Sequence, residues 1–336
     1  RELPGVHITL SSDIAPQIRE YPRTSTTCIN AYSTPFSLPY LTGLTDQVRA
    51  EGCDLEPLIM LSNGGVVGAK TAALQPVRMI ESGPAAGALA AGLLSKTYGI
   101  SDLISFDMGG TTAKACLIQD GEPLITGEFE VDRRYRFKPG SGMPITVPSV
   151  DMIEIGAGGG SIARVDELGL LKVGPDSAGS SPGPACYGLG GKQPCVTDAD
   201  VFLGILDPEN FLGGAMPLNM DACKSAINSL ARSLNVTDEH AAYGIYTLVG
   251  ETMAAAARTH ATERGVSYRG LTILAFGGAG PIHACYVAPP APPAVCAPLP
   301  GSGAALPRRR RVGRQGQQRR IIWAIPIAII VKILPI

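Results

Sequence analysis

The feature that most constrains this chain is an apolar stretch that ends on an acid, turns a glycine corner and runs straight back. Asp102 to Asp107 carries Leu103, Ile104 and Phe106 and reads as a buried strand with a carboxylate at its tip. Met108-Gly109-Gly110-Thr111-Thr112 follows as a tight turn. Lys114 to Gln119 reads as a second strand, Asp120-Gly121 as a hairpin signal, and Pro123 to Val131 as a third strand. The glycine turn therefore joins two antiparallel strands rather than a strand and a helix, which decides between nucleotide-binding folds. A phosphate needs several backbone N–H groups converging on one concavity, and glycine lets the main chain approach that closely. Thr111 and Thr112 add hydroxyl donors, Asp107 suits a Mg2+ ion or a nucleophilic water, and Lys114 supplies positive charge. The competing reading is an ordinary hairpin with a solvated Asp107.

A second glycine loop strengthens the phosphate reading. Leu271 to Phe276 reads as a strand, and Gly277-Gly278-Ala279-Gly280-Pro281 leads from it into a helix that starts near Ile282. Such a loop lays main chain against a nucleotide close to a helix N-terminus. His283, just beyond, reads as either a packed helix residue or a catalyst. A third run, Ile155-Gly156-Ala157-Gly158-Gly159-Gly160-Ser161, either lines a ligand or packs against another backbone. Asp198 and Asp200 share a face if that segment is extended, and read as a helix cap or a cation site. Cys186, among turn residues, is a nucleophile candidate with nothing beside it in sequence to lower its pKa. Glu251, on a long helix, either reaches the site or faces water.

The rest of the chain alternates elements in the manner of an α/β protein. Gly (41) and Pro (28) are abundant and aromatics make up 5%, which argues for many turns and against a helical bundle. Ser11-Ser12-Asp13 reads as a capped short helix. Pro35 and Pro39 argue against one continuous helix over Cys28–Leu44. Leu58 to Leu61 reads as a strand entering the Ser62–Gly65 turn, and Ser82-Gly83-Pro84 opens a small-residue helix. Asp221 and Thr237 read as the caps of two further helices. The eight cysteines form no CxxC pair, so a zinc cluster or a disulfide scaffold is not expected.

Charge divides the chain. Seven arginines, one lysine and no acid follow residue 288, so the first 288 residues carry 20 basic against 29 acidic side chains. That acidic body has no electrostatic footprint for nucleic acid. Beyond Ala288, the Pro289–Pro293, Arg308–Arg311 and Ile321–Ile336 stretches read as an atypical tail without a fold, of the kind a reading-frame error produces. Its apolar end is too short and interrupted for a membrane span. The opening Arg1-Glu2-Leu3-Pro4 lacks a signal core and reads like the middle of a longer protein.

At these residues the sequence resembles the hydantoinase A/oxoprolinase family. The resemblance runs over nearly all of residues 1–288 and includes Arg23–Thr27, Ser62–Gly65, Ser82–Ala85, Asp107–Lys114, Ile155–Ser161, Pro182–Gly188, Thr197–Asp200 and Phe276–His283. It implies an RNase H-like ATPase of the actin/sugar kinase type with an incomplete first lobe, because an earlier DxGGT loop of the family pattern is missing. Residues 1–100 would be the C-terminal part of that first lobe and 101–288 the second lobe. By resemblance, Asp107 and Lys114 are catalytic and Asp107 holds Mg2+. Gly109, Gly110, Thr111, Thr112, Gly277, Gly278, Ala279 and Gly280 hold ATP. The implied reaction is ATP-dependent hydrolysis of a cyclic amide, hydantoin or 5-oxoproline, through phosphate activation of the amide oxygen. Thr24–Thr27 and Ile155–Ser161 look closer to the hydantoinase-like branch. The rivals are the ATP-binding subunit of a ketone carboxylase and an inactive nucleotide-binding fragment. A hydantoinase B-like partner, a cytoplasmic location and no membrane or nucleic-acid partner complete the expectation.

Overall fold

The acid-tipped strand and its return form the centre of a mixed sheet. The computed structural model describes residues 6–131, 140–288, 296–298 and 321–323. Asp102–Met108 pairs antiparallel with Ala113–Gln119, which pairs antiparallel with Ile153–Ile155. On its other side Asp102–Met108 lies parallel to Thr272–Phe276, with Asp107 opposite Phe276. Thr272–Phe276 pairs in parallel with Ile321–Trp323, and that strand with Cys296–Pro298. Two short strands thus lie within the stretch read as an unfolded tail; the rest of that expectation falls outside the described residues.

The central strands are buried almost throughout, as strands covered on both faces must be. Ile104, Phe106, Ala115, Leu117 and Ile273 share one core with Ile245, Val249 and Met253 of the long helix Asp238–Glu263. That helix buries many small side chains, including Ala241, Ala242, Ala256 and Ala257. Its cap is as expected, the Thr237 hydroxyl accepting from the His240 amide (3.3 Å). The preceding helix, Met220–Leu234, is capped differently from the sequence reading. Asn219, not Asp221, accepts the first-turn amides of Asp221 (3.1 Å) and Ala222 (2.9 Å). Asp221 lies within the first turn, where its charge suits the helix dipole.

The chain divides into two units, one of residues 94–121 and 152–336, the other of 1–93 and 122–151. The sequence reading kept 101–288 whole, so the excursion 122–151 is a correction. Its cause is apolar burial within the other unit: Ile145 and Val147 join Ile14 and Val77, with Phe129 and Val131 packed against them. Ile125–Thr126 pairs with Ser149–Val150 and Phe129–Val131 with Met143–Ile145, so the third strand expected from Pro123 to Val131 is broken into short pieces. Gly127 and the Thr126 hydroxyl, bonded to the Glu128 carbonyl (2.8 Å), make the bend.

In that unit Glu20–Ala50 is one helix, despite Pro35 and Pro39. Proline removes an amide and crowds the preceding turn, at a cost of about 3 kcal/mol or more in a helix interior. Tertiary anchoring outweighs that here. Asn30 is fully buried and its amide spans two neighbours, donating to the Leu74 carbonyl (3.1 Å) and accepting from the Val77 amide (3.3 Å). The hydroxyls of Ser33 and Thr34 bond back to the carbonyls four residues earlier, a pattern that accompanies bent helices. Among the described residues no helix is long and apolar enough to cross a membrane.

Cap assignment is directly testable. Asn219→Ala should cost about 1 kcal/mol of stability, read as a lower urea midpoint, whereas Asp221→Ala should cost less; the reverse order would return the cap to Asp221.

Candidate functional site

Two parallel strands end side by side at Asp107 and Phe276, and the glycine loops leave from those ends. Ligands of open α/β sheets bind outside the carboxyl ends of strands, because loops there can converge without breaking the sheet. The Gly109–Thr112 turn closes through the Gly109 amide donating to the Thr112 carbonyl (3.0 Å). Gly110 and Thr111 at its tip are exposed, and among the described residues their amides take no protein acceptor.

Both other glycine loops dock onto this turn by main chain. The Gly159 amide donates to the Gly109 carbonyl (3.0 Å) and the Gly160 amide to the Gly110 carbonyl (2.6 Å). A side chain cannot intervene: a Cβ on Gly158 would lie 2.6 Å from the Gly110 carbonyl and from Thr111 main chain. This decides the sequence ambiguity over Ile155–Ser161 in favour of close backbone packing. From the other side, the Ala279 amide donates to the Met108 carbonyl (2.9 Å). Gly277 adopts φ +80°, and a Cβ there would collide with the Asp107 carboxylate and the Met108 carbonyl. Gly278 faces open space, and Gly280 and Pro281 start the helix Gly280–Val287. The structure thus brings the two expected loops, 109–112 and 277–280, to the same strand ends, with Gly277 against the Asp107 carboxylate and Ala279 bonded to the Met108 carbonyl.

That carboxylate is half-buried. Burial raises the Asp107 pKa, and the positive charge of Lys114 pulls it back. Lys114 lies directly opposite Asp107 in the hairpin and directly opposite Glu154 on the next strand. Its Nζ is 3.6 Å from Glu154 Oε1. Cross-strand partners share a face, so the row reads acid, base, acid. Glu154 was not singled out in the sequence, where its only mark is its place beside the glycine run.

The Thr197–Asp200 turn opens the helix Val196–Phe202, and each of its polar side chains has a separate task. The Thr197 hydroxyl and amide both donate to the Gly159 carbonyl (2.8 Å each). Asp198 is fully buried and accepts from the amides of Cys186 (2.7 Å), Cys195 (2.8 Å) and Ala185 (3.2 Å). Burial raises its pKa against the pull of those donors. Asp200 Oδ2 lies at hydrogen-bond distance (3.2 Å) from His283 Nε2, both residues buried. The Tyr246 ring stacks on the imidazole at 5.1 Å, and burial followed by the Asp200 charge raises the Tyr246 pKa. His283 is therefore a packed, paired residue. Sequence reading treated Asp198 and Asp200 as one feature and did not join Asp200 to a histidine 83 positions away. Glu251 accepts from the Tyr286 hydroxyl (2.9 Å), on the exposed side. Among the described residues no group of three His, Cys, Asp or Glu side chains is arranged to hold a metal.

Cys186 is excluded as a nucleophile. Its thiol is fully buried, and burial, then the Asp198 carboxylate, push its pKa far up. Cys195 and Cys223 are each pushed up to about 12, chiefly by burial.

An α/β lobe whose glycine loops converge on a strand-end carboxylate is the class that fold and site define. A family model described as Hydantoinase/oxoprolinase matches residues 23–291, and the chain belongs to that family. An uncharacterised protein of Methanocaldococcus jannaschii is 44% identical over 83% of this chain and 41% of its own. The caprolactamase alpha subunit of Pseudomonas jessenii is 38% identical over 84% of this chain and 39% of its own. A nucleotide-free acetone carboxylase structure, described as serving ATP-dependent acetone carboxylation, superposes with a TM-score of 0.73 at 30% identity. It covers 82% of this chain and 38% of that one. The ATP-dependent caprolactamase structure gives a TM-score of 0.66 at 36% identity, over 85% and 40%. The chain thus spans about two-fifths of the length of these relatives.

Thiol exposure can be checked by alkylation at pH 8 with peptide mass spectrometry. The exposed Cys28 should react in the native chain, while Cys186, Cys195 and Cys223 should react only after denaturation; native labelling of Cys186 would contradict its burial.

Proposed function

We propose that this chain is the ATP-binding part of an enzyme that opens a cyclic amide, working with a hydantoinase B-like partner in the cytoplasm. The observation that carries the reading is the pair of exposed amides at Gly110 and Thr111 beside the half-buried Asp107. Those donors suit phosphate oxygens, and the glycines leave the room that a triphosphate needs. The strand order supports an RNase H-like core of the actin/sugar kinase type: an antiparallel three-strand meander with a later strand parallel to its first.

ATP suits the donors present, with Gly109–Thr112 toward its phosphates and Gly277–Gly280 along its other side. Asp107 suits Mg2+, a hard cation that prefers one or two carboxylates plus phosphate oxygens to an all-protein cage. Bound ATP would supply the phosphoryl group that makes an unreactive amide oxygen a leaving group. The chain's own residues contribute positioning and charge. Asp107 would hold the ion or orient a water, and Lys114, set between two carboxylates, lowers the Asp107 pKa against the rise that burial causes. Relatives described as ATP-dependent act on a lactam or on a ketone, and the likeness to each is specific. Identity is higher to the caprolactamase (36% against 30%), while the TM-score is higher for the acetone carboxylase (0.73 against 0.66). Carboxylation is therefore the second reading.

Phosphate release separates them. With the partner subunit present, release that needs hydantoin, 5-oxoproline or caprolactam supports the amide hydrolase. Release that needs bicarbonate with a ketone supports the carboxylase. ATP binding without release under any substrate leaves the inactive-fragment reading standing. Asp107→Asn should cut Mg2+-dependent turnover by about 10²-fold or more; wild-type turnover by that variant would reject the assigned role.

A further inference from the structure

The Thr197–Asp200 turn touches both glycine loops that dock on the hairpin, through two separate side chains. The Gly159 carbonyl accepts from both the hydroxyl and the amide of Thr197, and the Gly159 amide donates to the Gly109 carbonyl. Asp200, three residues on, grips His283, which stands on the first turns of the helix that Gly277–Gly280 leads into. Between them, Asp198 ties the turn to the main chain of residues 185, 186 and 195, so its position is set independently of either loop. Asp200 Oδ1 and His283 Nδ1 are buried without a hydrogen-bond partner among the described residues. A pair selected for stability alone gains from having its remaining polar atoms satisfied or replaced by apolar groups of similar volume. The pair fixes the start of the helix Gly280–Val287 to the Thr197–Asp200 turn.

We propose that Thr197 and Asp200 are the positioning residues of the cradle. Thr197 sets the Gly156–Ser161 loop against the hairpin, and Asp200 sets the Gly277–Gly280 loop through His283. This rests on the nucleotide reading for its consequence, since a cradle held from both sides keeps the Gly110 and Thr111 amides convergent before ATP arrives. The coupling itself does not depend on that reading. Neither side chain touches the ligand in this scheme; each acts through the main chain it holds.

The test uses the whole chain and has two arms. Without nucleotide, amide hydrogen exchange is followed by mass spectrometry in Thr197→Ala, Thr197→Ser, Asp200→Ala and Asp200→Asn. Thr197→Ala, which removes the hydroxyl bond and keeps the Thr197 amide bond to the same carbonyl, should speed exchange in peptides containing 109–112 and 156–161 by about two- to tenfold, with 277–280 unchanged. Asp200→Ala should do the reverse. Thr197→Ser and Asp200→Asn, which keep a hydroxyl and an acceptor, should restore wild-type rates. In the second arm, ATP with Mg2+ should bind each Ala variant about tenfold more weakly, with the conservative variants rescued. A fall in Tm with loop exchange and rescue indistinguishable between Ala and conservative variants would overturn the proposal. If Asp200→Ala fails to fold, Thr197→Ala and Asp200→Asn still decide it. If the wild-type chain takes up no ATP, the function reading fails, and loop-specific or uniform exchange still supports or overturns the coupling.

Discussion

Everything at the site depends on main chain meeting main chain where side chains are absent. The Gly159 and Gly160 amides bond the Gly109 and Gly110 carbonyls, and this needs Gly158 to lie against Gly110 without a Cβ. Each such bond contributes only about 0.5–1.5 kcal/mol net. Geometry counts for more than that sum. A loop seated by its own peptide units has little freedom to slide, and it spends its amides inward. The amides at the turn's tip that take no protein acceptor among the described residues belong to the exposed Gly110 and Thr111. The turn and its loops thus commit some donors to holding themselves together and leave others without a protein acceptor.

Buried polar side chains complete the seating. Asp198 satisfies three peptide amides at the start of a seven-residue helix, which is too short to be stable on its own account. Asp200 and His283 join two elements far apart in sequence, and losing one partner of such a buried hydrogen bond costs about 1–3 kcal/mol because the other is left unmatched. Asp107 is the contrasting case. It is only half-buried, its pKa raised by desolvation and restrained by Lys114, with Lys114 balanced in turn by Glu154. One carboxylate is kept near solvent at a strand end while the others are committed to structure.

The sheet explains why these loops meet at all. Parallel pairing of Asp102–Met108 with Thr272–Phe276 sets Phe276 opposite Asp107, 169 positions away (276 − 107), so two carboxyl ends come into register. The antiparallel return through Ala113–Gln119 to Ile153–Ile155 delivers the third loop to the same edge. The long helix Asp238–Glu263 covers the sheet with alanines, which let it approach closely. The chain belongs to the Hydantoinase/oxoprolinase family and shares its fold with relatives described as ATP-dependent, and the nucleotide reading of this edge rests on the donors gathered there.

Local elements were legible in the sequence wherever one short stretch carried its own instruction. Asp102–Gln119 read as strand, glycine turn and strand because apolar alternation and the turn residues sit together. Thr237 read as a cap because a hydroxyl before an acidic first turn is sufficient for one. Tertiary contacts decided the rest. One helix persists through Pro35 and Pro39 because Asn30 is bonded to residues more than forty positions away. Residues 122–151 leave the sheet unit because Ile145 and Val147 find their apolar partners at Ile14 and Val77. Asp200 meets His283, and Gly158 meets Gly110, only after the chain has folded. Propensity and periodicity act over a few residues, whereas burial and hydrogen-bond pairing act over distance in space. The sequence alone therefore determined which pieces could form the cradle, and the tertiary fold decided which of them touch.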